Sequence, residues 1–208
     1  MPFSDTYPAR MAAFLARHGT TDVPGIFHAV RNLPYHSSGE RSPDAVMATG
    51  RGACTAKHIL LRDLLRHIGE VAAVEIVGGD FAAGIPPHPS MPAPLLQMLA
   101  EGGIHDFHCY TVWRGPEREL ALDATWPDAV EPYGYPVNSN WAGEGDTKLA
   151  IRPTNVKARE EDVPAAKQRL LGALTADEVA DRAAFLKHLS DWMAATIWTG
   201  DRTGGTGA

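Results

Sequence analysis

The strongest pattern in the chain is the spacing of apolar residues between Gly52 and Gly69. Leu60, Leu61, Leu64, Leu65 and Ile68 recur at helical intervals, and Gly69 is a typical stop residue. This pattern predicts a long helix over 52–67. Residues 71–77 are mostly β-branched and apolar, which predicts a strand directly after the helix.

The second half of the chain begins with a predicted hairpin. Apolar and aromatic residues predict strands at 107–113 and 119–123, joined by a Gly-Pro turn at 114–118. Similar patterns predict helices at 8–18, 24–33, 95–101, 160–172 and 176–198, and an edge strand at 147–152. Helices, then strands, then helices is the order of an α+β fold.

Three segments between these elements are predicted to be loops. A polar stretch at 36–51 predicts a loop, and the proline-rich stretch at 84–94 predicts another. An aromatic-rich segment at 124–146 is long enough to indicate an ordered, functional loop. We expect one domain over 1–199, with a C-terminal helical extension at about 160–198 and a disordered tail at 200–208.

Composition and charge exclude several classes of function. The net charge of −6 argues against a nucleic-acid surface. Nothing in the sequence approaches the ~18 apolar residues of a membrane span, so we expect no membrane partner. With 2 cysteines and no secretory pattern at the N-terminus, we expect a reduced, cytoplasmic protein without disulfides.

Cys54 is the first candidate for chemistry. It follows Gly52 at the start of the long predicted helix, where unpaired backbone N–H groups and the helix dipole favour a thiolate. A thiolate is the nucleophilic form of cysteine. The alternative is that Cys54 is a small, buried and inert residue of the core.

A candidate base and its orienting carboxylate come from the predicted hairpin. The hairpin returns Asp123 beside His108, where a carboxylate can hold one imidazole nitrogen and determine the tautomer. His105 is the rival base, but it precedes the centre of the strand. The pattern therefore predicts Cys54 as nucleophile, His108 as base and Asp123 as the residue that orients it.

These residues, in this order, resemble the transglutaminase-like superfamily. The resemblance rests on Gly52-Ala53-Cys54 before a Leu-rich helix that ends in Leu65-Arg66-His67-Ile68-Gly69, on the strand that carries His108, on Asp123-Ala124-Thr125, and on Leu33-Pro34-Tyr35. It covers about 28–127, roughly half the chain. The family commonly has Asp-Pro-Thr where this chain has Asp-Ala-Thr, and often a Trp directly after the catalytic His pair, where this chain has Cys109-Tyr110.

The resemblance implies a papain-like fold, in which a central helix packs on an antiparallel sheet. It also implies a thiol enzyme that acts on an amide or peptide bond through a thioester, with hydrolysis favoured over amine transfer. No Trp or Gln precedes Cys54 to complete an oxyanion hole. The backbone N–H of Cys54 is the expected first donor, and Tyr35 is favoured over His36 and Asn32 as the second.

Further expectations concern the rest of the long helix, metal binding and the partners of the protein. Lys57 and His58 are predicted to lie on a solvated face of the helix; the alternative is that they tune the thiolate or bind a substrate. The histidines and cysteines show no metal-ligand spacing, so we expect neither a metal nor a cofactor. The expected partner is a peptide, protein or small amide substrate. The sequence does not determine the oligomeric state.

The aromatic segment leaves two alternatives open. Trp126, Tyr133, Tyr135 and Trp141 are candidates to contact substrate, or else to fasten the loop to the core. The alternative to an enzyme is a non-catalytic binding module of the same fold, which would use the aromatic segment at 126–141 as its recognition surface.

Overall fold

A four-stranded antiparallel sheet lies at the centre of the computed structural model, which describes residues 6–198. The strands are β1 (Ala72–Asp80), β2 (His105–Arg114), β3 (Glu119–Leu122) and β4 (Asn155–Arg159), in the spatial order β3-β2-β1-β4. The helices are α1 (Tyr7–His18), α2 (Val23–Arg31), α3 (Pro43–Thr49), α4 (Cys54–His67), α5 (Ala93–Glu101), α6 (Val163–Leu171) and α7 (Ala176–Thr196). The predicted α+β class with an antiparallel sheet is confirmed.

Helix α4 is the buried helix of the fold. One side packs on β1 and β2, while α2 and α3 cover other sides. Leu60, Leu61, Leu64 and Leu65 are fully buried, as their spacing predicts. Because neighbouring elements surround most of α4, the polar residues Lys57, His58 and Arg62 are buried along with its apolar ones.

The C-terminal helices pack against the same sheet. Helix α7 begins with a capping box: the Thr175 hydroxyl accepts from the N–H of Glu178, and the Glu178 carboxylate accepts from the N–H of Thr175. Its buried side chains include Phe185, Leu189 and Met193, which belong to an apolar cluster that also contains Tyr35 and Trp126. Helices α6 and α7 both contact β2, so they border the strand that carries His108.

Two predicted segments differ from the structure. The stretch 36–51, predicted as a loop, contains α3, which begins with Ser42 as its cap and ends at Gly50 in the left-handed region (φ 67°). The edge strand predicted at 147–152 lies instead at Asn155–Arg159, where it pairs with β1. The earlier segment is engaged elsewhere, since the N–H of Ala150 donates to the Asp123 carboxylate.

Among residues 6–198, no helix combines the length and apolarity that a membrane crossing needs. The tail predicted at 200–208 lies outside the described residues.

Candidate active site

Cys54 is the first residue of α4, and the chain enters the helix through a tightly packed turn. Gly52 pairs with the segment before it: its N–H donates to Pro34 and its carbonyl accepts from His36. A side chain at Gly52 would meet the Val46 side chain at 2.7 Å, so this close approach needs glycine. The pairing brings Tyr35 alongside the start of α4.

The hairpin brings His108 and Asp123, the candidate base and its candidate orienting group, into contact. Thr111 on β2 faces Leu122 on β3, so Asp123 follows directly and lies beside His108. The Asp123 Oδ2 is 2.7 Å from the His108 Nε2. By contrast, His105 is exposed and contacts Glu178 at the start of α7. The structure therefore brings Cys54, His108 and Asp123 together, which we call the triad, and leaves His105 outside it.

Asp123 is rigidly held in its buried position. Its Oδ2 also accepts from the N–H of Ala150 at 2.7 Å, and its Oδ1 accepts from the N–H of Thr125 at 2.9 Å. Burial raises the pKa of Asp123, but the charge and hydrogen bond of His108 outweigh burial and hold the pKa well below its usual range. Asp123 is therefore a permanent anion behind the imidazole.

Cys54 and His108 shift each other's pKa in opposite directions. The interaction with the Cys109 thiol lowers the pKa of Cys54 most; Lys167 and His108 add to this, and together they outweigh burial. Burial lowers the pKa of His108, but Asp123 and Cys54 raise it to about 10. The favoured pair near neutral pH is thus a thiolate and an imidazolium, the form in which a cysteine attacks.

Lys57 and His58 are buried, so the predicted solvated face of the helix is wrong. The Lys57 Nζ donates to the carbonyls of Arg31, Leu33 and Thr125 at 2.9, 2.9 and 3.0 Å. It therefore ties the segment before Tyr35 to the segment after Asp123. No helical spacing signals this role, because the acceptors are backbone atoms of distant segments.

His58 links two backbone segments of the triad through hydrogen bonds. Its Nδ1 is 2.7 Å from the Cys54 carbonyl, which can only accept, so Nδ1 carries the proton. Its Nε2 then accepts from the N–H of Ala124 at 2.8 Å. The neutral ring thus joins the first turn of α4 to the residue after Asp123.

A cavity of about 300 Å³ opens in front of Cys54. Tyr35 lines it, and the Tyr35 hydroxyl has no hydrogen-bond partner among residues 6–198. Burial raises the pKa of Tyr35, and the nearby Cys54 and Asp106 raise it further, so the phenol remains a hydrogen-bond donor. His36 also lines the cavity, whereas Asn32 lies elsewhere, bound to Asp128.

Three charged residues of this cavity were missed by the sequence analysis. Asp106, Lys167 and Arg182 lie close together in its wall, and we call them the cationic cluster. A signal was present: Lys167 falls at helical spacing with buried Val163 and Ala166, and Arg182 with buried Phe185 and Leu186. A basic residue on an apolar helix face indicates a buried charge with a partner.

The aromatic segment fastens itself to the core. Trp126 is buried and packs on Tyr35, with ring centroids 4.9 Å apart, but it does not line the cavity. Tyr135 packs on Trp126 at 4.9 Å, and Trp141 on Phe27 at the same distance. Trp126 therefore supports the cavity wall from behind.

No protein-family model matches the sequence, and a search of curated proteins found no significant match. The arrangement of Cys54, His108 and Asp123 is consequently the observation on which a functional assignment rests.

Proposed function

We propose that this protein is a thiol enzyme of transglutaminase-like type that cleaves an amide or peptide bond. The observation that carries the proposal is the buried His108–Asp123 pair beside Cys54, a cavity-lining cysteine whose pKa is lowered. Covalent catalysis requires a nucleophile within reach of a base, and a third group that orients the base through a hydrogen bond.

In the first step, the Cys54 thiolate attacks the substrate carbonyl carbon. The carbonyl electrons move to oxygen, and the N–H of Cys54 and the Tyr35 hydroxyl would stabilise the resulting oxyanion. His108 then gives its proton to the leaving nitrogen as the carbon–nitrogen bond breaks. The products of this step are a free amine and a thioester on Cys54.

In the second step, neutral His108 takes a proton from water, and the oxygen attacks the thioester. The carbon–sulfur bond breaks, the acid leaves, and Cys54 returns to its thiolate form. Asp123 holds the His108 ring through both transfers. Hydrolysis is favoured over amine transfer on the family resemblance, and an amine in place of water would complete the transfer reaction.

The papain-like fold is part of the same proposal. Its support is the buried helix α4, which carries Cys54 at its first turn and packs on the antiparallel strand that carries His108. We also propose a cytoplasmic location. Cys54 and Cys109 are both free thiols, which fits a reducing compartment.

Alkylation of Cys54 by iodoacetamide across pH is the direct test. We expect reaction to persist well below the pH range of ordinary thiols (~8.5), because His108 stays protonated up to about pH 10. In His108→Ala the midpoint of alkylation should move to higher pH and the rate at neutral pH should fall, because His108 is one of the groups that lower the pKa of Cys54. His105→Ala, the matched control on the same strand, should behave like the unchanged protein. A single titration near ~8.5 that His108→Ala leaves unchanged would rule out the activated pair.

The binding-module alternative depends on an exposed aromatic surface. Trp126, Tyr135 and Trp141 are instead buried, which leaves that alternative little surface to use. Cys54→Ala separates the two hypotheses, because an enzyme loses turnover on amide substrates whereas a module retains its ligand.

A further inference from the structure

The cationic cluster brings two basic side chains to one carboxylate oxygen. The Asp106 Oδ1 lies 2.6 Å from the Arg182 Nε and 3.4 Å from the Lys167 Nζ, and it also accepts from the N–H of Phe107. The Lys167 side chain is only 2% exposed and that of Arg182 21%. Both nevertheless line the cavity in front of Cys54.

Most of the donors of this cluster have no acceptor. The Lys167 ammonium has three N–H groups and one long contact, while Arg182 uses only its Nε; its Nη1 and Nη2 have no partner within 6–198. The equally buried Lys57 instead has three carbonyl acceptors within 3.0 Å. The Arg182 Nη1 and Nη2 are not among the fully buried atoms that lack a partner, so they face the cavity, where an acceptor on a ligand can reach them.

The charge of the cluster is also unbalanced. Two cations face one carboxylate, and the pKa of Lys167 is raised by Asp106 and Cys54 in spite of burial, so Lys167 stays protonated. The acidic residues at the cavity mouth are engaged elsewhere: Asp191 pairs with Lys187, and Glu40 accepts from neighbouring backbone N–H groups.

Acylation does not remove this imbalance. The Cys54 thiolate becomes a neutral thioester while His108 gives up its proton, so the Cys54–His108 pair is neutral overall before and after this step and the excess positive charge of the cluster remains. An anionic group on the substrate would restore the balance while the acyl group is bound. The planar guanidinium of Arg182 can bind a carboxylate through its two free nitrogens.

We infer that Lys167 and Arg182 bind a carboxylate of the substrate, so the preferred substrate is a small amide or short peptide with a free carboxylate close to the bond that is cleaved. The inference rests on the proposed function, since it names the substrate class of the same site. The cavity volume of about 300 Å³ fits a small molecule of this kind.

Two alkylating reagents that differ in one charge provide the test. Iodoacetate and iodoacetamide both attack the thiolate of Cys54, so the ratio of their rate constants cancels any change in thiolate population. Relative to the same ratio for free glutathione, we expect the protein to favour iodoacetate by about tenfold. Arg182→Gln should abolish most of this preference.

Lys187→Gln is the matched control, because it removes the same charge from the same helix at the cavity mouth. It should leave the ratio within about twofold, since Lys187 is exposed and paired with Asp191. Lys167→Met is the second test variant, with its fold checked by circular dichroism, and it should lower the ratio as Arg182→Gln does.

The outcomes separate this inference from the proposed function. A glutathione-like ratio in the unchanged protein, or a preference that survives both Arg182→Gln and Lys167→Met, would overturn the carboxylate site even if iodoacetamide reacts fast at low pH. Slow iodoacetamide reaction at neutral pH would instead count against the catalytic pair. Even if iodoacetamide reacts slowly, a preference for iodoacetate that is lost in both Arg182→Gln and Lys167→Met would establish the anion site.

Discussion

The two sides of the cavity around Cys54 differ in how completely their polar groups are hydrogen-bonded. On the triad side, both Asp123 oxygens, both His58 nitrogens and the Lys57 Nζ have close partners. On the side of the cationic cluster, Lys167 and Arg182 share one carboxylate and leave donors unused.

We interpret this difference as a division of roles: the triad side positions His108, and the cationic cluster binds a ligand. The hydrogen bonds of Asp123, His58 and Lys57 favour one arrangement, so they hold His108 ready for proton transfer without reorganisation. Donors that lack acceptors are instead available to a ligand. The comparison between Lys57 and Lys167 is the clearest case, because both are buried lysines and only one is satisfied by the protein.

Asp123→Asn should cause the largest loss of turnover among the variants that test this comparison. An asparagine in this place donates to the His108 Nε2 and so imposes the wrong tautomer, which lowers turnover by about 10⁴-fold. Steady-state hydrolysis of an amide substrate measures the effect. The control is Asp191→Asn at the cavity mouth, which should retain turnover; equal losses in the two variants would mean that the carboxylate of Asp123 has no special role.

Tyr35→Phe tests the second oxyanion donor. Loss of one such donor typically lowers acylation by about 10²–10³-fold, whereas iodoacetamide alkylation forms no oxyanion and should be unchanged. Stability should also be unchanged, because the hydroxyl has no partner within the described part of the chain. Tyr135→Phe is the control, since its buried hydroxyl lies behind the cavity wall. Equal acylation by both variants would remove Tyr35 from the mechanism.

Lys57→Met and Lys167→Met compare the two buried lysines directly. Lys57→Met leaves three carbonyls without their donor and should lower the free energy of unfolding by about 3 kcal/mol. Lys167→Met removes one long contact and should cost clearly less, since Arg182 still pairs with Asp106. Urea unfolding measures both values, and similar losses would contradict the contrast drawn between the two sides.

Cys109→Ala should produce the smallest of these effects. It removes the neighbour that most lowers the pKa of Cys54, so the midpoint of iodoacetamide alkylation should move to higher pH and the rate at neutral pH should fall. Cys109→Ser keeps a hydrogen-bond donor and should retain a lower midpoint than Cys109→Ala. If both variants match the unchanged protein, Cys109 does not tune the nucleophile.

The sequence predicted the parts of this protein that depend on local spacing. The Leu-rich pattern of α4 and the hairpin that returns Asp123 to His108 both depend on residues near each other in the chain. Helix α3 was missed because a short helix in a polar stretch has little apolar periodicity. Strand β4 was misplaced because pairing with β1, rather than its own composition, determines its position.

The sequence by itself determined the α+β order of elements and the chemical identities of the candidate nucleophile, base and orienting acid. Only the tertiary structure decided which charges are buried and which are satisfied. Lys57, Lys167 and Arg182 are similar basic residues in the sequence, but Lys57 meets backbone carbonyls and the other two meet one shared carboxylate. The physical reason is that the cost of a buried charge depends on acceptors from distant segments, which local spacing does not reveal.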